Sequence, residues 1–241
     1  MFGGANEEME NEINSAVKNL IALLSSPDDL ARTGACRSLI AIGRPGVPLL
    51  VEALRDPHYV VRWEAARALS AIGDPTAAPA LVEALEDDAF EVRWRAAEGL
   101  TKIGVNGLSP LLKALIEDAE SFILRDSAHY ILHSVARGEL RDYLLPVLTA
   151  LESIWSSVEV PAAALRALER LEEFKKTHGE TDSVATKEPI ATYTNQPADL
   201  GAQRRAQKYA KTLRYRALCS EDLRPDKMLR SDEGSVLCSF R

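Results

Sequence analysis

The chain has 241 residues, 46% hydrophobic and 27% charged. That allows one large or two small packed domains and excludes collagen, a disulfide scaffold and a wholly disordered chain. The formal net charge of −7 argues against whole-molecule attraction to nucleic acid or anionic lipid.

Residues 1–12 form an acidic, polar segment, and a secretory or organellar leader would be basic or apolar there. No apolar run approaches the roughly 18 residues of a membrane span. Cys36, Cys219 and Cys238 are too few and too scattered for a disulfide framework or a zinc motif. The expected location is the cytoplasm.

Residues 13–174 are repetitive, and a repeat takes precedence over other signals. Residues 49–73 read LLVEALRDPHYVVRWEAARALSAIG and residues 80–104 read ALVEALEDDAFEVRWRAAEGLTKIG, a shift of 31 residues. Val61-Arg62-Trp63 falls on Val92-Arg93-Trp94, and Ile72-Gly73 on Ile103-Gly104. A copy ending at Gly43 precedes them. A fourth keeps Ala114, Leu115, Arg125, Ala128 and Leu132, with a middle turn one residue longer. The units span about 14–43, 47–73, 77–104 and 108–136, followed by a degenerate pair over about 139–174.

Each unit holds two helical patterns split by a turn. In the second, Leu49, Leu50, Ala53 and Leu54 give one apolar face; Val61, Ala65, Leu69 and Ile72 give another at helical spacing. Gly43, Gly73 and Gly104 follow the second helices, where a left-handed cap is expected. Pro45 and Pro75 stop continuation. Pro161 is expected in the first turn of the last helix. Neither helix of a pair can bury its face alone, whereas stacked pairs can. The fold class is therefore all-α: an α-solenoid of about five stacked helix pairs with a flexible C-terminal tail.

The pattern L-x-x-A-L-x-D-x-x-x-x-V-R-x-x-A-A-x-x-L-x-x-I-G, nearly complete in units two and three, resembles the HEAT-like repeats of the phycobilin lyase group. The resemblance covers 14–136 well and 139–174 loosely. It implies the solenoid fold; members include chromophore lyases, metal-dependent hydroxylases and plain interaction proteins. It also implies that Arg32, Arg62, Arg93 and Arg125 form a structural Asp/Arg ladder along the inter-helix turns, with anion binding as the alternative. Arg suits such a ladder because its planar fork donates several bonds at once. The hydroxylase relatives use adjacent His-Glu pairs. Here the histidines precede Tyr59, Tyr130, Ser134 and Gly179, so that activity is not expected.

In a solenoid of this type the second helices line the inner surface. With Val61 in the core, Trp63 lies about 200° around its helix, with Arg67 and Ser70 beside it. The matching sets are Thr33 and Arg37; Trp94 and Glu98; and Asp126, Tyr130 and His133. Two readings stay open for Trp63 and Trp94: adjacent exposed indoles facing a partner, or indoles packed on the neighbouring second helix. Trp155 falls outside the register and reads as packing. Asp126, His129 and His133 share one helical face, the spacing of a metal site. The positions matching His129 are Cys36, Ala66 and Ala97, which favours a packed histidine, and no metal is assigned. No catalytic residue is assigned either.

The candidate partner-binding set is Arg37, Trp63, Arg67, Trp94, Glu98, Asp126, Tyr130 and His133. The expected function is a non-catalytic protein-interaction scaffold without a cofactor, its solenoid binding neither nucleic acid nor membrane. The alternative is a phycobilin lyase subunit handling a linear tetrapyrrole for a phycobiliprotein. In it Arg37, Arg67 and His133 would pair with propionates while Trp63 and Trp94 cover the rings.

Residues 1–174 carry 16 Lys+Arg and 27 Asp+Glu, net −11; residues 175–241 carry 13 and 9, net +4. Residues 177–199 lack apolar periodicity and read as a linker. Residues 199–218 read as a basic amphipathic helix, with Arg204, Arg205, Lys208 and Lys211 opposite Ala206, Tyr209, Ala210 and Leu213. The tail is expected to contact an acidic protein surface.

Overall fold

The structure, a computed structural model, describes residues 3–178. The expected linker beyond His178 and the basic helix at 199–218 lie outside the described residues. Among the described residues there are ten α-helices and no strand. They are α1 (Gly3–Leu23), α2 (Asp29–Ile42), α3 (Val47–Ala53), α4 (Tyr59–Ile72), α5 (Ala78–Glu83), α6 (Phe90–Ile103), α7 (Val105–Glu117), α8 (Phe122–Val135), α9 (Glu139–Glu152) and α10 (Ser156–His178). Short 3-10 turns, Arg44–Gly46 and Pro75–Ala77, lead into α3 and α5. No described helix is long and apolar enough to cross a membrane.

Local chemistry sets the helix ends. Asp28 caps α2 by accepting from the Leu30 N–H, and Ser121 caps α8 by accepting from the Leu124 N–H. The residues before α4 and α6 are His58 and Ala89, which give no side-chain cap; instead Asp56 and Asp87 accept their N–H groups, at 2.8 Å each. The expected left-handed cap occurs at Gly73 (φ 68°, ψ 26°). Gly43 and Gly104 depart from it: φ is again positive, but ψ is −136° and −130°. Only glycine enters that region without strain, so the residue type was correctly read and the conformation was not.

The fold is an α-solenoid of two helix layers. The second helices α2, α4, α6 and α8 pack in series, and α1, α3, α5 and α7 back them. The core is mostly small and aliphatic. Ala65, Ala66, Ala68, Ala96 and Ala97 bring α4 and α6 together, while Leu50, Leu69, Leu81, Leu85, Leu100, Leu111, Leu112 and Leu115 fill the space between layers. Each fully buried leucine contributes roughly 1.5–3 kcal/mol of apolar burial.

The fifth pair enters in reverse order. α9 packs on α8 and so joins the layer of second helices, while α10 packs on α7. Side chains agree: His129 of α8 meets Glu152 of α9, and Ser109 of α7 binds Glu172 and Lys175 of α10. Ala136 stands where earlier units have the positive-φ glycine, with φ −68° and ψ 79°. The positive φ moves to Gly138 (φ 54°), and the chain leaves α8 in another direction. Two expectations about α10 are corrected. It starts at Ser156, so Pro161 lies inside it rather than in its first turn. It also runs past Phe174 to His178, held by Lys175 Nζ at 2.8 Å from Ser109 Oγ.

Candidate partner-binding surface

Each ladder arginine lies over the preceding turn, six residues after the carbonyl it binds. Arg62 Nη1 donates to the Asp56 carbonyl at 3.0 Å, Arg93 Nη1 to the Asp87 carbonyl at 2.7 Å, and Arg32 Nη1 to the Ser26 carbonyl at 2.6 Å. Arg125 donates likewise to the Ala119 carbonyl. The residue six back, an aspartate only for Arg62 and Arg93, thus gives its backbone oxygen. At the seam between units two and three the carboxylate comes from the next unit: Arg62 Nε lies 2.7 Å from Asp87 Oδ2 and Nη2 lies 3.1 Å from Oδ1. Burial alone would raise the Asp87 carboxyl. The hydrogen bonds from Arg62 and from the Ala89 N–H outweigh it, and the group sits below the usual carboxylate range. Asp74 behaves similarly: burial is opposed by the Thr76 hydroxyl and N–H and by Arg44, 2.9 Å away.

Beyond the ladder, the second helices carry an aromatic–cation row. Trp63 is half-buried against the core; the Arg67 guanidinium lies 5.6 Å from its ring centre and that of Arg95, on α6, lies 5.9 Å away. Trp94 is half-buried too, with its ring 5.3 Å from Tyr130 of α8 and 6.5 Å from Phe90. Each indole therefore bridges to the following second helix. Both guanidiniums are held: Arg95 Nη1 lies 2.8 Å from Glu98 Oε2, and Arg67 Nη1 lies 3.1 Å from Glu64 Oε2.

Glu64 is only 2% exposed. Its Oε1 accepts a hydrogen bond from Arg67 at 3.3 Å; Oε2 is nearer to the guanidinium but poorly aligned as an acceptor. A buried carboxylate with one cationic partner fixes that partner, because leaving it unpaired is costly. Beside it Cys36 is fully buried, its Sγ 3.9 Å from the Glu64 carbonyl. Burial pushes the thiol up to about 12 against the pull of Arg67, which makes it a poor nucleophile.

The other expected residues spread along the same layer. Arg37 on α2 and His133 on α8 are exposed, and Glu98 and Asp126 are half-buried. Ser70, expected beside Trp63, is buried where α6 approaches at Gly99. His129, expected in a tight seam, is half-exposed and lies 3.2 Å from Glu152, because α9 replaces a regular second helix there. Its ring is 6.3 Å from that of His133. Trp155, expected to pack, is 64% exposed in the turn before α10. Sequence reasoning missed Glu64 and Arg95. They occupy the same repeat position with opposite charge, so the repeat conceals them; the sign change from one copy to the next was the available signal.

Residues 17–91 and 47–133 match the family of HEAT repeats. Among solved structures, the complex of CpcE and CpcF of phycocyanin lyase from Nostoc sp. PCC7120 is similar to this chain. Identity is 26%, over 64% of this chain and 98% of that one, with a TM-score of 0.42. An engineered protein is 24% identical over 69% of this chain and 90% of its own, with a TM-score of 0.37. A designed armadillo repeat protein in complex with the peptide (KR)4 is 22% identical over 71% and 95%, with a TM-score of 0.34. No curated protein matches the chain. With paired helices across residues 17–133 and the family match over the same span, residues 17–133 form a run of HEAT-like repeats.

Proposed function

We propose that the layer of second helices binds a protein partner and that its central contact is the row Arg67–Trp63–Arg95 continued by Trp94–Tyr130. The observation that carries this reading is the placement of two guanidiniums, 5.6 and 5.9 Å from the Trp63 ring centre, each held by its own carboxylate. Trp, Tyr and Arg dominate binding energy at interfaces, through large area and multiple donors. Side chains already fixed lose little freedom on binding. Arg37, Glu98, Asp126 and His133 lie along the same layer and would form its polar rim. The role is non-catalytic, and its setting is the cytoplasm.

The test compares the full chain with its Trp63→Ala, Trp94→Ala double variant against a purified partner. Titration calorimetry should show at least about a tenfold loss of affinity, the scale of one lost hot spot. Circular dichroism should show the helicity retained. Equal affinity would reject this face as the contact.

A second reading, handling of a linear tetrapyrrole for a phycobiliprotein, rests on the repeat resemblance. The pairing of a cation with a flat ring at Arg67 and Trp63 is compatible with it. Its signature would be a change in visible absorbance on mixing the protein with bilin, sensitive to Arg37, Arg67 and His133.

A further inference from the structure

The end of the solenoid is apolar where a terminal unit ordinarily turns a polar face to solvent. On α10 and the turn before it, Ile154 is 92% exposed, Val158 71% and Leu165 48%. Leu145 of α9 is 49% exposed beside them. Val158, Ala162 and Leu165 follow each other at helical spacing on the side of α10 away from its buried face of Val160, Ala163, Ala164, Ala167 and Leu171. A groove between α9 and α10, lined by Leu145, Pro146, Thr149, Val158, Ala162 and Arg166, adjoins that stripe. Neither Glu159 nor Arg166, both at its edge, has an ion-pair partner among the described residues.

We infer that this face binds a second copy of the chain, with the two α10 helices antiparallel about a two-fold axis over Ala162. The charge pattern argues for this occupant. A two-fold interface requires that whenever residue i of one copy meets residue j of the other, j also meets i. Glu159 and Arg166 lie on either side of Ala162 at nearly equal distance along the helix, three and four residues away. Antiparallel pairing therefore sets Glu159 of one copy beside Arg166 of the other, twice. The same operation sets Val158 beside Leu165, also twice, so that apolar side chains meet apolar side chains. Ala162, on the axis, is small enough to let the helices approach to the 8–10 Å of ordinary helix packing. A face with one sign of charge, or with its charges unequally placed, would not close on itself in this way.

Sedimentation velocity of the full chain, from about 1 to about 100 µM, tests this over the range where such an interface changes population. The mass should rise from one chain to two. Val158→Glu should hold the protein at one chain throughout with unchanged helicity, since the side chain is exposed. Glu159→Arg and Arg166→Glu should each raise the dissociation constant about tenfold or more, by placing like charges together. The double variant should recover most of the loss, which a merely structural role would not allow. A wild-type protein that stays at one chain would overturn the proposal. So would a dimer indifferent to Val158→Glu and to the charge reversals.

Discussion

Gly99 shows how the lack of a side chain sets the spacing of two units. A Cβ built there would lie 3.0 Å from Leu81 Cδ1 and 3.3 Å from the Ser70 Cα. Leu81 is fully buried and Ser70 Cα is backbone, so neither can yield cheaply. Alanine would regain about 1 kcal/mol of helix propensity, which offsets much of the contact cost. Gly99→Ala is therefore expected within about 1 kcal/mol of wild type. Gly99→Val adds two methyl groups beyond that Cβ into the same space and should cost about 2–3 kcal/mol. Urea unfolding followed by circular dichroism checks both. Little of this was legible beforehand. The repeat aligns Gly99 with Ala68 and Ser38, which signals a small residue but not that a helix backbone lies against it.

Between elements, the seam joining the second and third units is clamped by Arg62, which holds its own turn through Asp56 O and the next through Asp87. The Asp87 carboxyl is depressed in the folded state, so its stabilising effect is full above the unfolded value near 3.9. That effect is lost as pH falls through the lower folded value. Asp87→Asn should cost about 2 kcal/mol at neutral pH. The gap between variant and wild type should narrow as the pH drops below about 4, and thermal melts across that range measure it. The sequence exposed the six-residue spacing of Asp56 from Arg62 and of Asp87 from Arg93 but not which unit supplies the carboxylate. Linear spacing cannot distinguish a carbonyl within a turn from a carboxylate of the next unit. The reversed fifth pair was hidden for a related reason. Apolar residues at helical spacing look alike in either layer, and only the shift of the positive-φ residue from the place of Ala136 to Gly138 marks the change. Helix existence, order and pairing were legible because Gly and Pro punctuate an almost exact repeat.

At the scale of the whole molecule, the stacked units turn isolated side chains into a continuous layer. Position i of each second helix lies beside the same position of the next, so a binding row can be assembled from residues about 31 apart in sequence. That arithmetic placed Trp63 and Trp94 on one layer, while Arg95, a cation of the row, and Glu64, which holds Arg67, became visible only in three dimensions. The two ends of a stacked solenoid must be covered or polar. The apolar end at α9 and α10 and the aromatic row on the second helices are thus separate surfaces with separate tests. Site-specific photo-crosslinking of the full chain to its partner tests the layer of second helices directly. The photoreactive residue replaces Arg37 or His133, which are exposed on second helices, or Lys113, which is exposed on α7 of the backing layer. Partner adducts are expected from Arg37 and His133 and none from Lys113; adducts from Lys113 alone would show that the partner does not bind the layer of second helices.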